Sequence, residues 1–291
     1  MRTPLFLEPP AGVTARTIQT RRGAFRALEA GTQAGPPAVL IPGFTGSKED
    51  FIAVLGPLAA AGFHVLAYDQ RGQYQTPGPA AAEGWTLEGF GADALAVAQA
   101  VGAGERVHLL GHSFGGLVAR AAVLTEPARF SSLVLLCSGP AALPEGQAVL
   151  LRTFADAIDS FDLATVWELK RAFDLESGWQ PPPEPGIDAF LKEKFLASDP
   201  GCLSAMARIL ATEPDRTGEL AQAVHAAGVR TLVAFGQNDD AWSPEIQART
   251  ASRIGAAAVS FPEAAHSPAV ESPADTVQAL AAFWAGTRDA G

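Results

Sequence analysis

The chain has 291 residues, of which 48% are hydrophobic and 18% charged. This composition supplies ample apolar material for a packed core and excludes a disordered chain. With 31 acidic and 21 basic residues the formal net charge is −10, the wrong sign for binding a phosphate backbone, so we expect no nucleic-acid partner. The N-terminus does not resemble a signal peptide, and no run of about 18 apolar residues occurs. We therefore expect a cytoplasmic protein without a membrane span.

The two cysteines, Cys137 and Cys202, are too few for a disulfide framework and lie in no metal-ligand spacing. Cys137 ends the apolar run 133–137, which favours a buried thiol that packs as a small hydrophobic group. We predict no metal site and no cofactor.

Short apolar runs alternate with amphipathic stretches along most of the chain. This alternation predicts an α/β fold with a mostly parallel central sheet of about eight strands flanked by helices. An opening hairpin is expected from residues 17–20 and 24–28. Six further strands are predicted at residues 38–41, 64–68, 107–110, 133–137, 231–235 and 257–261. Apolar residues at helical spacing within 87–101 and 277–284 predict helices that pack on this sheet.

The alternation stops between residues 140 and 214, where helical spacings follow one another and no convincing strand pattern occurs. We interpret residues 140–214 as an inserted helical cap, and residues 1–139 and 215–291 as the core domain. The run Pro181–Pro185 inside the cap predicts a stiff extended connection between helices. The alternative is a ligand for a proline-recognition domain.

The pentapeptide Gly111-His112-Ser113-Phe114-Gly115 matches G-x-S-x-G. Alone it is a weak signal, but a strand pattern runs straight into it and a helical pattern over 114–126 leaves it. A serine on so sharp a strand-to-helix turn has an exposed hydroxyl, and the flanking glycines allow neighbouring segments to approach closely. We predict a nucleophile elbow at Ser113.

A serine nucleophile needs a histidine base, and the base needs an acid that fixes its tautomer. Four of the five histidines are interpreted as structural, since they lie in strand, helix or elbow patterns: His64, His108, His112 and His225. His266 instead follows the last predicted strand, in a loop from which an imidazole can reach the elbow. We predict His266 as the base.

The acid is expected at the end of the preceding strand, where Asp239 and Asp240 are adjacent. Asp239 is the predicted acid. Capping of the helix that starts near Pro244 is the better interpretation of Asp240, although neither aspartate stands at the cap position itself.

The chain order Ser113, Asp239, His266 and the surrounding motifs resemble the α/β-hydrolase family, in its serine-nucleophile branch with a helical cap. The loop beginning at Pro42-Gly43-Phe44 looks like the family's oxyanion loop. The resemblance implies that the backbone N–H groups of Phe44 and Phe114 form an oxyanion hole. The family usually has His-Gly where this chain has Pro42-Gly43, and proline lacks an N–H and fixes φ.

The segment 68–74 is similar to the turn after the family's next strand, where a glycine commonly stands in place of Tyr74. Tyr74 is therefore a candidate substrate-pocket residue, with a surface position as the equal alternative. For Arg71 a structural salt bridge is favoured over binding of a carboxylate or phosphate.

The resemblance implies a serine hydrolase in which Ser113 attacks a carbonyl, His266 transfers the proton and Asp239 orients His266. We expect a carboxylesterase-type enzyme for a small apolar or aromatic ester, active as a monomer or homodimer and from a bacterial source. Besides Tyr74, candidate pocket residues are Phe154, Trp167 and Trp179. Packing of the cap helices is the alternative role for each of these aromatic residues.

Other reactions in the family use the same serine, namely C–C bond hydrolysis, lactone or amide opening, perhydrolysis and lyase chemistry. The aspartate-nucleophile branch, which includes epoxide hydrolases, is disfavoured because position 113 is serine. From other classes of protein, we keep two alternatives: a non-catalytic small-molecule binding protein, and an interaction protein that uses the cap.

Overall fold

The structure is a computed structural model and describes residues 3–78, 85–182 and 185–286. Its centre is an eight-stranded sheet with the order β1-β2-β4-β3-β5-β6-β7-β8. The strands are β1 (Val13–Thr20), β2 (Gly23–Ala30), β3 (Pro37–Ile41), β4 (His64–Tyr68), β5 (Val107–His112), β6 (Phe130–Leu136), β7 (Arg230–Gly236) and β8 (Ala257–Phe261). The β1–β2 and β2–β4 pairs are antiparallel, and all the other pairs are parallel. The predicted fold class and the opening hairpin are confirmed.

The central strands β3 and β4 are buried along their whole length and consist mostly of aliphatic residues. Such continuous apolar strands are typical of a parallel sheet covered on both faces. Seven helices belong to these layers: α1 (Ile52–Ala60), α2 (Leu87–Gly102), α3 (Phe114–Thr125), α8 (Thr217–Ala226), α9 (Pro244–Ile254), α10 (Pro268–Glu271) and α11 (Pro273–Ala285). One face packs against α2, α3, α8 and α9, and the other packs against α1, α10 and α11.

Four helices fill the chain between β6 and α8: α4 (Glu145–Ser160), α5 (Leu163–Glu176), α6 (Pro185–Ala197) and α7 (Pro200–Thr212). We call residues 140–214 the helical segment. Its described residues contain no strand, as the spacing predicts. Of the proline run, residues 183 and 184 lie outside the described part of the chain, and α6 begins at Pro185.

The two ends of the helical segment are tied to each other and to α3. Ala142 donates a backbone hydrogen bond to Glu213 (2.7 Å), and Leu143 donates one to Leu210 (2.9 Å). The buried guanidinium of Arg120, on α3, donates to the carbonyl of Pro140 and to the carboxylate of Glu213, both at 2.5 Å. Entry and exit of the segment are therefore held at one point beside the helix that follows Ser113.

In the described part of the chain, no helix is both long enough and apolar enough to cross a lipid bilayer.

Candidate active site

Ser113 occupies a strained turn between β5 and α3. Its φ and ψ are 53° and −119°, a left-handed conformation that residues with a side chain rarely adopt. The flanking glycines are required by close approach: a Cβ at Gly111 would collide with the carbonyl of Gly115, and a Cβ at Gly115 would collide with the carbonyl of Ile41. The G-x-S-x-G spacing thus lets β3, β5 and α3 meet closely enough to present the serine hydroxyl.

The structure brings the three predicted triad side chains together. The Ser113 hydroxyl lies 2.9 Å from His266 Nε2, and His266 Nδ1 lies 2.8 Å from Asp239 Oδ1. His266 follows β8 and Asp239 follows β7, so both side chains lie at the carboxyl edge of the sheet, where the elbow also lies. With Nδ1–H donating to Asp239, Nε2 is free to accept the serine proton.

Asp239 is nearly buried and receives several hydrogen bonds. Ala241 donates its backbone N–H to Oδ1 (2.9 Å), and the fully buried Gln247, on α9, donates Nε2–H to Oδ2 (2.7 Å). Burial tends to raise the pKa of Asp239, but the bond and charge of His266 and these further donors outweigh it, so the pKa lies below its ordinary value. The carboxylate is held in its ionised form, which is the form that orients an imidazole.

The loop that carries His266 is fixed on both sides of that residue. One oxygen of Glu271, on α10, accepts the backbone N–H of Ala265 and that of Ser267, each at 2.9 Å. The carbonyl of His266 lies 2.6 Å from Nε2 of His112, and a carbonyl can only accept, so His112 donates there. Burial, followed by the charge of His266, lowers the pKa of His112 to about 4, so His112 is neutral near pH 7.

The loop after β3 passes directly over Ser113. A Cβ added to Gly43 would lie 3.1 Å from Cβ of Ser113. Two buried glutamines hold this loop from below, since Gln70 donates to the carbonyl of Pro42 and Gln73 donates to that of Gly43, both at 2.9 Å. Proline at position 42 is compatible with this arrangement because its carbonyl is the group that is used.

The predicted oxyanion donors lie on either side of this contact. Phe44 directly follows Gly43, and Phe114 is the first residue of α3, where a helix leaves its N–H groups without intrahelical acceptors. Their role as oxyanion donors stays a prediction.

A cavity of about 200 Å³ opens beside Ser113 and His266. Its remaining lining consists of Gly43, Phe44, Asp50, Phe51, His112, Leu143, Leu151, Leu210, Ala241, Ser267, Ala269 and Val270. The lining is mostly apolar. The cavity is smaller than the roughly 300–1,000 Å³ typical of sites for drug-sized ligands. Leu151 on α4 and Leu210 on α7 are the contributions of the helical segment's helices.

The four predicted pocket residues are absent from this lining. Phe154 packs edge-on against Phe44, with ring centroids 5.9 Å apart. Tyr74 packs against Phe190, and its hydroxyl lies 3.2 Å from a carboxylate oxygen of Glu193. These large rings pack the helices of the segment onto each other and onto the loop after β3, and leucines face the cavity instead. A substrate-pocket role for the four residues stays a prediction.

Trp167 and Trp179 line a separate small pocket, where the guanidinium of Arg171 lies over both rings, 5.5 and 4.1 Å from their centroids. They too therefore serve packing within the helical segment. The rings and the guanidinium hold α5 and its following loop together.

Two other interpretations are settled by contacts. Arg71 makes a two-pronged ion pair with Asp93, at 2.6 Å for both hydrogen bonds, which is the structural role favoured above. Asp240 does not cap α9, because Ser243 is the N-cap and accepts the N–H of Ile246.

Sequence reasoning missed Gln247, Glu271 and the contact of His112. Gln247 is four residues beyond Ser243, and Glu271 is five residues beyond His266. The available signal was a polar residue one turn into the helix that follows each reactive loop, a position from which a side chain can point back to the loop.

A family model described as "Alpha/beta hydrolase family" matches residues 38–279. The fold and the site define the class of the protein as an α/β hydrolase. The chain belongs to the alpha/beta hydrolase family, as its motifs predict.

In sequence the chain is 40% identical to a candidate carbamate hydrolase, RutD of Variovorax paradoxus, over 102 residues, which are 35% of this chain and 38% of that protein. It is 30% identical to epoxide hydrolase A of Mycobacterium tuberculosis over 205 residues, 69% of this chain and 61% of that protein. The matches thus span less than two thirds of either relative. In structure it is similar to a candidate aryl esterase from Burkholderia cenocepacia, with a TM-score of 0.75, 20% identity and coverage of 95% of this chain and 100% of that one. The last likeness concerns the fold alone.

Proposed function

We propose that the protein is a serine hydrolase that cleaves esters of small, mainly apolar acids through an acyl-enzyme. The observation that carries the proposal is the continuous hydrogen-bonded chain from Ser113 Oγ through His266 to Asp239, with distances of 2.9 and 2.8 Å. This chain supplies a nucleophile, a base and an orienting acid in the geometry that acyl transfer needs.

In the proposed reaction, His266 Nε2 removes the hydroxyl proton of Ser113 as Oγ bonds to the ester carbonyl carbon. The carbonyl oxygen gains the negative charge, and the N–H groups of Phe44 and Phe114 stabilise it. Each such donor contributes about 3–4 kcal/mol to lowering the barrier. The C–O bond then breaks, His266 returns the proton to the alcohol, and a water activated by His266 repeats the sequence to release the acid. Apart from the ester and this water, each step uses groups of the chain itself.

The ester is the preferred bond class for two chemical reasons. An alkoxide leaves more readily than an amine, which favours esters over amides. A serine that opened an epoxide would form an ether, which water does not cleave under mild conditions, whereas the acyl-serine formed from an ester is readily hydrolysed. Similarity to an epoxide hydrolase is therefore not carried over to epoxide chemistry in this chain.

We further propose that the helical segment is a cap that limits the size of the substrate. The supporting observation is that Leu151 and Leu210, from α4 and α7, line a cavity of about 200 Å³ at Ser113. The cytoplasmic location, the oligomeric state and the bacterial origin stay predictions.

The test is intact-mass analysis after treatment with a fluorophosphonate, which reacts with activated serines. We expect stoichiometric labelling of the wild type and none in Ser113→Ala, with labelling at least 100-fold slower in His266→Ala. Hydrolysis of 4-nitrophenyl butanoate should be lost in parallel. A folded wild type that neither reacts with the probe nor turns over esters would contradict the proposal and favour a binding protein.

A further inference from the structure

The cavity at Ser113 is lined by two different groups of side chains. Leu143, Leu151, Leu210 and Ala241 form an apolar group. The second group comes from α10 and from the 3₁₀ turn Lys48–Phe51, which follows β3, and it includes Asp50, whose side chain is 19% exposed. A substrate in this cavity thus meets one acidic side chain, that of Asp50, in mostly apolar surroundings.

The carboxylate of Asp50 has hydrogen-bonding capacity left over. Within the described residues, Ser47 donates its backbone N–H to Oδ2 at 3.2 Å, and Lys194 donates from Nζ to Oδ1 at the long distance of 3.5 Å. Two carboxylate oxygens can together accept about four hydrogen bonds. Burial raises the pKa of Asp50 although Lys194 opposes the shift, so its negative charge is incompletely compensated.

Lys194 limits which donor can complete this set. Its side chain comes from α6, is only 3% exposed and lies over the ring of Phe190. A second cation at Asp50 would meet the buried ammonium of Lys194 at short range and be repelled. A neutral donor adds a hydrogen bond to the carboxylate without that repulsion.

We propose that Asp50 is a specificity residue that accepts a hydrogen bond from a hydroxyl group of the substrate. The preferred substrates are then small hydroxylated esters whose remaining surface is apolar. This inference rests on the proposed serine hydrolase function. A hydrogen bond to a charged acceptor in such a site corresponds to a preference of about 10–100-fold for the hydroxylated substrate over an equally large substrate without the hydroxyl.

The experiment compares kcat/KM within pairs of esters in which a methyl group replaces the hydroxyl at constant size. One pair, 4-nitrophenyl 3-hydroxybutanoate and 4-nitrophenyl 3-methylbutanoate, tests the acyl side. The other pair, 2-hydroxyethyl butanoate and propyl butanoate, tests the alcohol side. We expect the wild type to prefer the hydroxylated member of at least one pair by 10-fold or more. In Asp50→Leu that preference should fall to about 1.

Because Asp50→Leu leaves Lys194 buried without its partner, the double variant Asp50→Leu/Lys194→Leu is measured as well, and it should also lose the preference. The matched control is Glu49→Gln. Glu49 belongs to the same 3₁₀ turn and pairs with Lys48 at 2.8 Å but does not line the cavity, so the preference should persist.

Fluorophosphonate labelling distinguishes failure of the proposed role of Asp50 from failure of the proposed serine hydrolase function. A wild type that is labelled at Ser113 but prefers neither hydroxylated ester overturns the role of Asp50 and leaves the hydrolase intact. Preference for 4-nitrophenyl 3-aminobutanoate over 4-nitrophenyl 3-hydroxybutanoate overturns the inference that Asp50 accepts its hydrogen bond from an uncharged group. Absence of labelling in folded protein overturns the proposed function itself.

Discussion

The imidazole of His112 donates a hydrogen bond to the main-chain carbonyl of His266, with 2.6 Å between Nε2 and the oxygen. His112, the residue directly before Ser113, therefore holds the loop that carries His266. The rings of the two histidines are 5.1 Å apart, so a charge on His266 disfavours a charge on His112. The turn at Ser113 and the loop that carries His266 are thus coupled both geometrically and electrostatically.

This coupling predicts a specific pH dependence of stability. The pKa of His112 is about 4 in the folded protein, against an ordinary value of 6.5. As the pH falls from 6.5 to 4, the His112 imidazole therefore binds a proton in the unfolded chain but stays neutral in the folded protein. The stabilisation is complete above pH 6.5 and is lost over that interval, by roughly 3 kcal/mol in the free energy of unfolding.

In His112→Gln the amide still donates to the carbonyl of His266 but does not titrate. Urea unfolding at pH 7.5 and 4.5 should therefore give a smaller loss for this variant than for the wild type. His225→Gln, which removes an exposed histidine on α8, is the control and should follow the wild type. Equal losses of unfolding free energy in His112→Gln and the wild type would mean that His112 becomes protonated over the same pH range in the folded protein as in the unfolded chain.

Glu271 provides a second prediction, since one of its oxygens accepts the backbone N–H groups on both sides of His266. Glu271→Ala leaves both N–H groups without this acceptor and frees the loop. We expect kcat to fall about 10–100-fold, because misplacement of a catalytic group by about 1 Å has an effect of that order. KM for a small ester should change much less.

Glu263→Ala is the matched control, because Glu263 is an exposed carboxylate three residues before His266. Rescue by Glu271→Gln, whose amide oxygen still accepts, would support positioning of His266 rather than a general effect of charge. A Glu271→Ala variant with wild-type kcat would show that the loop is rigid without this carboxylate.

The sequence predicts the sheet and the triad for different reasons. Strands are local, so the alternation of apolar runs locates them within a few residues: β4 and β8 match their predicted ranges, and β5 runs two residues further, to His112. The triad is predicted because each member directly follows a strand, and parallel strands end at the same edge of a sheet; the structure brings the three side chains within hydrogen-bond distance, and their catalytic roles stay predictions. Chain order and short motifs are then sufficient to select Ser113, Asp239 and His266.

The cavity was not predictable in the same way. Leu151 and Phe154 are three residues apart on α4 and share one face of that helix, yet Leu151 lines the cavity and Phe154 packs against Phe44. Which of the two reaches the substrate depends on how α4 sits over the oxyanion loop, and helical spacing contains no information about that placement. The same limit applies to Asp50, whose role depends on a lysine 144 residues away.

Gln247 provides a third prediction, because it donates to Asp239 at 2.7 Å from a fully buried position. Loss of this donor weakens the stabilisation of the ionised carboxylate and raises the pKa of Asp239 towards its ordinary value. The folded pKa of Asp239 is lowered, so its contribution is present at high pH and is lost as the pH falls through that pKa. The pKa of Asp239 should therefore lie higher in Gln247→Leu than in the wild type.

The shift should be larger in Gln247→Glu, which places a second carboxylate against Asp239. The measurement is a pH titration of the Asp239 side-chain carboxyl followed by NMR, with the exposed Gln237→Ala as control. An unchanged pKa of Asp239 in both Gln247 variants would show that Gln247 does not stabilise the ionised carboxylate.

Arg120 provides the last prediction, which concerns the helical segment. Its guanidinium binds the carbonyl of Pro140 and the carboxylate of Glu213, at the two ends of the segment, and its side chain is 4% exposed. Removal of one member of a buried ion pair costs about 3–5 kcal/mol, because the partner charge is left uncompensated. We expect Arg120→Met to lose stability on this scale and to show faster amide hydrogen exchange at residues 140–143 and 210–213 first.

Arg120→Lys should be intermediate, since one ammonium group does not reproduce the two-pronged geometry. Arg120→Met/Glu213→Leu should recover part of the stability, and the surface variant Arg249→Met should change it by less than about 0.5 kcal/mol. If exchange in Arg120→Met rises uniformly over the core strands rather than at the two ends of the segment, Arg120 stabilises the fold as a whole and does not specifically hold the helical segment over Ser113.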